Sequence, residues 1–164
     1  MHSLLIATLR LGIAFVVLIG CFGQIVVIPT MAADEVDRFP AYGPLAVPYA
    51  TIAVLGVACV QVALAAAWML LRMVHRGTLF TPMAFRWVDT VIGASVVATL
   101  LALGVTGHLL FGDIPEPDSM TAFGHLATAV ACLGAGVAFT LLMIVMRGLL
   151  RKATDLETEM AEVV

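Results

Sequence analysis

Four long apolar segments, separated by short polar ones, fill most of the chain. They cover residues 4–28, 45–71, 88–111 and 122–146. A helix rises 1.5 Å per residue, so each segment reaches roughly 35 to 40 Å, which exceeds the ~30 Å hydrocarbon core of a bilayer. The segments are continuously apolar instead of alternating in polarity, and this pattern favours helices over barrel strands. We therefore predict one all-α domain over residues 1–164, an integral membrane four-helix bundle of two transmembrane hairpins.

Polar residues between the apolar segments extend the helices and define their connections. Thr81 and Pro82 form a cap and first-turn pair for the third helix, and Trp87 is typical of the membrane interface. The prolines and Gly43 of the first connection predict an extended cover over the bundle. The predicted helices are 4–28, 45–76, 82–111 and 122–152, with outer loops 29–44 and 112–121, a cytoplasmic loop 72–87 and a cytoplasmic tail 147–164.

The tail is predicted to stay helical after Arg147. Apolar residues recur there at alternating spacings of four and three, while acidic residues face elsewhere. These apolar residues are Leu149, Ala153, Leu156, Met160 and Val163. Such an amphipathic extension can dock a cytosolic protein, fold against the basic middle loop or fray, and these alternatives stay open.

Composition and charge set the predicted location. Hydrophobic residues make up 62% of the chain and charged residues 12%, where a soluble domain carries about a quarter charged residues. The first segment is longer than the core of a secretory signal, about 7 to 15 residues, so we expect a retained helix. Basic residues concentrate at one side of the predicted bundle, and the positive-inside rule puts both termini and the middle loop in the cytoplasm. The cations expected to contact anionic lipid or an acidic partner are Arg72, Arg76, Arg86, Arg147, Arg151 and Lys152.

Two glutamines and one aspartate fall in or at the edge of the predicted spans. Gln24 and Gln61 either form interhelical hydrogen bonds or line a route for a solute. Asp89 lies in the first turns of the third helix and is predicted to pair with Arg86, three residues earlier.

His108 and His125 flank the second outer connection at comparable depth. Together with Asp113, Glu116 or Asp118 they are candidate metal ligands, and two facing imidazoles also suit a haem. Imidazoles are equally at home at a membrane interface, so no cofactor is expected.

Small residues follow one another at four-residue spacing in the fourth span. They are Gly124, Thr128, Cys132, Gly136 and Thr140, and Cys59, Ala63 and Ala67 repeat the spacing in the second span. Such stripes let helix backbones approach closely, either within the bundle or in a homodimer. Neither a metalloprotease motif nor a glycine-rich phosphate loop occurs, so we expect a protein without enzymatic activity.

The middle loop carries a motif that resembles a known family. Arg76-Gly77-Thr78-Leu79-Phe80-Thr81-Pro82, followed by Phe85-Arg86-Trp87-Val88-Asp89, is similar to the middle-loop signature of the bacterial four-helix membrane family called domain of unknown function 2975. The resemblance extends to the hairpin layout and to Met146-Arg147-Gly148-Leu149-Leu150, and is greatest to actinobacterial members. It implies a multi-pass protein of the bacterial cytoplasmic membrane. Family members are often encoded beside small helix-turn-helix regulators, which implies a membrane partner for a transcription factor, without direct binding of nucleic acid by this chain.

Three functions of different classes follow. The first is a non-enzymatic accessory or regulatory protein that binds a cytosolic or membrane partner through its cytoplasmic loop and tail. The second is a subunit of a small-solute transporter or channel with Gln24 and Gln61 along the route. The third is a haem- or metal-binding redox protein that uses His108 and His125.

Overall fold

Four helical rods, each long and apolar enough to cross a membrane, make up the molecule. The computed structural model describes residues 2–75, 82–112, 114 and 119–162. The helices are α1 His2–Phe22, α2 Ile28–Arg38, α3 Gly43–His75, α4 Pro82–Phe111 and α5 Ser119–Glu162, with a π-helical turn at Gly23–Val27 and a 3₁₀ turn at Pro40–Tyr42. The predicted all-α class and the four membrane spans are confirmed.

The first rod continues well past Pro29, where an extended connection was predicted. The π-helical turn joins α1 to α2 without a break, and the Ile28 N–H donates to the carbonyl of Gly23, five residues back. Pro29 follows this π-helical turn directly, and the wider hydrogen bonds of the turn accommodate its missing N–H. The hydroxyl of Thr30 donates to the carbonyls of Val26 and Val27, at 2.8 and 3.0 Å. The prediction of an extended cover over 29–44 was therefore wrong, because the shifted hydrogen bonds absorb the proline.

The first rod ends at Arg38, and the next two residues are Phe39 and Pro40. Phe39 has φ −133° and ψ 88°, outside the helical region, because a residue before proline is pushed away from that conformation. Pro40 then opens the 3₁₀ turn, and Gly43 opens α3. The connection between the first two rods is thus a tight helical corner.

The helices form an open row. Neighbours along the chain pack together, α1 on α3, α3 on α4 and α4 on α5. Within the described residues, no Cα of α1 comes within 8 Å of a Cα of α5, so the row does not close into a ring. The row therefore has two inner helices, α3 and α4, and each of them packs against a neighbour on two sides.

The contact between α4 and α5 follows a heptad repeat. From Ala122 to Thr154, the α5 residues that are not exposed are spaced alternately by four and three. They are Ala122, Leu126, Ala129, Leu133, Gly136, Thr140, Met143, Arg147, Leu150 and Thr154. The predicted stripe at constant four-residue spacing is only partly in this seam, since Gly124, Thr128 and Cys132 are exposed. A step of four residues drifts about 40° around a helix, whereas an average step of 3.5 keeps one face.

The core consists of small side chains. The buried apolar residues are Ala66, Ala84, Val88, Val91 and Ala129, on α3, α4 and α5. Among the described residues, the buried hydroxyl groups are those of Ser95 and Thr106 on α4. Each donates a hydrogen bond to a backbone carbonyl of its own helix at 2.8 Å. The acceptors are the carbonyls of Ile92 and Ala102, respectively. Helices that share lipid as solvent associate through such close backbone approach, not through large apolar side chains.

Candidate functional site

Contacts between neighbouring rods show that they run antiparallel. Gln24 late in the first rod bonds to Val54 early in α3, and Asp89 early in α4 bonds to Arg147 late in α5. The start of α1, the end of α3, the start of α4 and the C-terminal part of α5 therefore lie at one end, which we call the basic end. The described cations at this end are Arg10, Arg72, Arg86, Arg147, Arg151 and Lys152, whereas Arg76 lies outside the described residues.

Arg147 binds Asp89 in a forked geometry at the basic end. Its Nη2 donates to Asp89 Oδ2 at 3.1 Å, and its Nε contacts Oδ1. The two side chains are 42% and 49% exposed. Exposed ion pairs stabilise by about 0.2 to 1 kcal/mol, so the main effect of this pair is to set the register of α4 against α5.

The predicted pair between Arg86 and Asp89 was therefore wrong. Both residues lie on α4, with the cation on the N-terminal side of the acid, which is the weaker order for a pair along a helix. Arg147 lies on the heptad seam of α5, and its Nη2 donates to Asp89 from the neighbouring helix. The alternating four- and three-residue steps of the seam lead from Gly136 through Thr140 and Met143 to Arg147, so this spacing identifies the partner.

A groove of about 390 Å³ opens at the basic end between α1, α3 and α4. Its apolar wall is formed by Ile13, Ala14, Val17, Ala65 and Met69. Trp68, Arg72 and Trp87 complete the lining. Sequence reasoning missed this groove, although Trp87 was predicted at the membrane interface and Arg72 in the basic surface.

Arg10 lies on the groove side of α1. It precedes Ile13, Ala14 and Val17 by three, four and seven residues, so all four share one helix face. The Arg10 Nε is buried and has no hydrogen-bond partner. This spacing was visible in the sequence, but only the neighbouring helices show that the face is covered.

Gln24 and Gln61 both join the first rod to α3. Gln24 Nε2 donates to the carbonyl of Val54 at 3.0 Å, and Gln61 Nε2 donates to the sulfur of Cys21 at 3.5 Å. The structure therefore matches the first of the two interpretations, interhelical hydrogen bonds. Gly20 lies directly under Gln61, since a Cβ on Gly20 would stand 2.9 Å from the Gln61 Nε2.

His108 contacts α3 at the opposite end of the molecule. Its Nδ1 lies 2.8 Å from the hydroxyl of Tyr49, and the two rings meet edge to face with centroids 5.8 Å apart. His125 is exposed on α5. In the part of the chain that the structure describes, no three His, Cys, Asp or Glu side chains come together as metal ligands. The predicted carboxylate partners Asp113, Glu116 and Asp118 lie outside the described residues, so the metal site stays a prediction.

Beyond the apolar span, α5 continues as one helix to Glu162, about 24 Å past Met146 at 1.5 Å per residue. Leu149 and Leu156 are 57% and 61% exposed, and Ala153 between them is exposed as well. We call these three residues the tail stripe. The predicted helical tail is thus observed, while the side chains of Met160 and Val163 lie outside the described ones.

The protein is a multi-pass α-helical membrane protein, because four of its helical rods are long and apolar enough to cross a membrane. Residues 30–164 match the family described as "Protein of unknown function (DUF2975)", and the chain belongs to that family. The resemblance noted in the middle loop is therefore confirmed. No curated protein and no solved structure matches the chain.

Proposed function

We propose that this chain is a non-enzymatic regulatory or accessory protein of the bacterial cytoplasmic membrane, with both termini in the cytoplasm. It binds a partner protein through the tail stripe and the adjacent basic residues. The orientation is supported by the gathering of Arg10, Arg72, Arg86 and Arg147 at one end, since cationic residues are retained on the cytoplasmic side.

The observation that carries the proposal is the unbroken helix Ser119–Glu162. Arg147 is paired with Asp89 of α4 near the end of the apolar span, and the same helix continues beyond this ion pair to Glu162. Leu156 is exposed beyond it, and Arg151 and Lys152 on the same helix are exposed as well. An apolar stripe flanked by charges on a preformed helix is suited to dock into a groove of another protein.

No structural observation favours the two alternatives. Gln24 and Gln61 are engaged between the first rod and α3, which does not favour a polar lining for a solute. His108 is engaged by Tyr49, which does not favour paired imidazoles around a metal or haem.

The test is co-purification of a partner with the gently solubilised protein from its native membrane. Leu156→Asn removes the exposed apolar side chain at the centre of the described tail. Asp155→Asn, on the adjacent exposed residue, is the matched control. We expect a protein that co-purifies at constant ratio with the wild type and with Asp155→Asn, and whose yield falls at least about tenfold with Leu156→Asn, the effect of losing about 1.4 kcal/mol.

Truncation after Thr154 provides a second variant and should remove the same protein. Size-exclusion chromatography in detergent checks that each variant keeps its assembly. A partner that stays bound to both Leu156→Asn and the truncated chain contradicts the proposal.

A further inference from the structure

We infer that the groove at the basic end, between α1, α3 and α4, binds an anionic phospholipid, with its phosphate at Arg72 and Arg10 and an acyl chain along the apolar wall. The inference goes beyond the proposed function and does not depend on the tail.

The groove has a charged end and an apolar end, as a phospholipid molecule does. Along α3 its lining runs from Ala65 to Arg72, a rise of about 10 Å. On α1 the lining runs in the opposite chain direction, from Ile13 near the basic end to Val17 deeper in the span. The charged residue is therefore at the membrane surface and the apolar residues are toward the bilayer interior, as the headgroup and acyl chain of a phospholipid are.

Two guanidinium groups, those of Arg72 and Arg10, serve this groove, and neither has a carboxylate counter-ion among the described residues. Arg72 is exposed in the lining, and Arg10 lies one helical turn closer to the basic end than Ile13. The ion pair found among the described residues is the one between Asp89 of α4 and Arg147 of α5, and neither of these residues lines the groove. The Arg10 Nε is buried and lacks a partner, and a buried donor left unpaired is costly. An anionic group beside the Arg10 guanidinium would compensate its charge.

The chemistry of the lining suits the phosphate of a lipid. A guanidinium forms bidentate bonds with phosphate oxygens. Trp68 and Trp87 place two indole rings beside it, and indole prefers the headgroup level of a bilayer. A soluble phosphate has no use for the apolar wall, so we commit to the lipid.

The two tryptophans provide the measurement, because they are the chain's complete set. The purified protein is placed in vesicles of phosphatidylcholine, and brominated phosphatidylglycerol or brominated phosphatidylcholine is added at equal amounts. Bromine quenches a nearby indole, so the ratio of quenching gives the preference for the anionic lipid. We expect a preference of several-fold, since each basic residue near an anionic leaflet contributes about a fivefold factor.

Matched variants distinguish lipid binding in the groove from a general effect of surface charge. Arg10→Gln with Arg72→Gln removes both proposed phosphate ligands, whereas Arg151→Gln with Lys152→Gln removes the same charge from the tail. The first pair should bring the preference close to one, and the second should lower it much less, because neither of its residues lines the groove. An equal loss in both pairs, or a preference of one in the wild type, overturns the inference.

A variant that keeps all charges tests the acyl-chain part. Ala14→Phe fills the groove, and Ala127→Phe adds the same ring to an exposed position of α5. Ala14→Phe should abolish the preference and Ala127→Phe should retain it. Competition by soluble glycerol phosphate at millimolar concentration, or an unchanged preference in Ala14→Phe, would show that no lipid chain occupies the groove. Leu156→Asn, the variant that tests the proposed function, should keep the wild-type lipid preference. Failure of the lipid site and failure of the proposed function can therefore be distinguished.

Discussion

Arg147 of α5 and Asp89 of α4 meet through two parallel nitrogen-to-oxygen contacts at the basic end of the molecule. Asp89 lies in the first turns of α4, and Arg147 lies where the apolar span of α5 gives way to the tail. The ion pair therefore lies on the seam about two helical turns before its last residue, Thr154.

Removing either partner of this ion pair should loosen α5 with little loss of overall stability. We expect Asp89→Asn and Arg147→Gln to show a coupling free energy of about 0.2 to 1 kcal/mol in a double-mutant cycle, because both side chains are about half exposed. The measurement is unfolding by denaturing detergent, at low and at high salt. The coupling should shrink at high salt, where exposed charges are screened. Strictly additive effects at low salt would show that the two residues do not act as a pair.

A methyl group at position 136 should disturb the seam between α4 and α5. A Cβ on Gly136 would stand 2.6 Å from Thr99 Oγ1 and 3.4 Å from Thr99 Cβ, and that hydroxyl is held at 2.7 Å from the Ser95 carbonyl. We expect Gly136→Ala to lower the free energy of unfolding by about 1 to 3 kcal/mol, as overpacking does.

Gly134 is the matched control for that substitution. A Cβ on Gly134 would meet nothing within 4 Å, so Gly134→Ala should be neutral or stabilise the helix by about 0.5 to 1 kcal/mol. Combining Gly136→Ala with Thr99→Ala removes the clashing oxygen and should recover most of the loss. Equal effects of the two alanines would mean that the seam does not pass through Gly136.

The two glutamines between the first rod and α3 should differ in their contribution. Gln24 donates to a carbonyl oxygen at 3.0 Å, whereas Gln61 donates to a sulfur at 3.5 Å, and sulfur is a weak acceptor. We expect Gln24→Leu to cost about 0.6 to 1.7 kcal/mol, in the range of interhelical bonds in membranes, and Gln61→Leu to cost less. Detergent unfolding of both variants gives the comparison. A larger cost for Gln61→Leu would contradict the observed bonding.

The transmembrane architecture could be predicted from the sequence because it depends on local properties. Length and continuous apolarity of each segment identify the spans, and Pro82 marked the start of α4. The continuation through Pro29 could not be predicted in this way, since a proline ordinarily ends a helix and the compensating π-helical turn leaves no distinct sequence pattern. Local rules were thus sufficient for the spans and insufficient for their ends.

The candidate sites were less predictable because they depend on which helices are neighbours. Arg72 and Trp87 were recognised separately, yet the groove that they share with Ile13 exists only because α1 and α4 flank α3. The partner of Asp89 likewise lies 58 residues away in the chain. Periodicity can place a residue on a face of its own helix, but it does not reveal the helix opposite.

The most direct test of the membrane arrangement uses single cysteines and a membrane-impermeant thiol reagent. Cys21, Cys59 and Cys132 are first replaced by alanine, and a cysteine is then introduced at Ala41, in the corner after α2, or at Ala153, in the tail; both positions are exposed. In cells with an intact inner membrane, we expect Ala41→Cys to react and Ala153→Cys to react only after the membrane is opened. Reaction of Ala153→Cys in intact cells, or the same accessibility for both positions, would contradict a four-span protein with its basic end and tail in the cytoplasm.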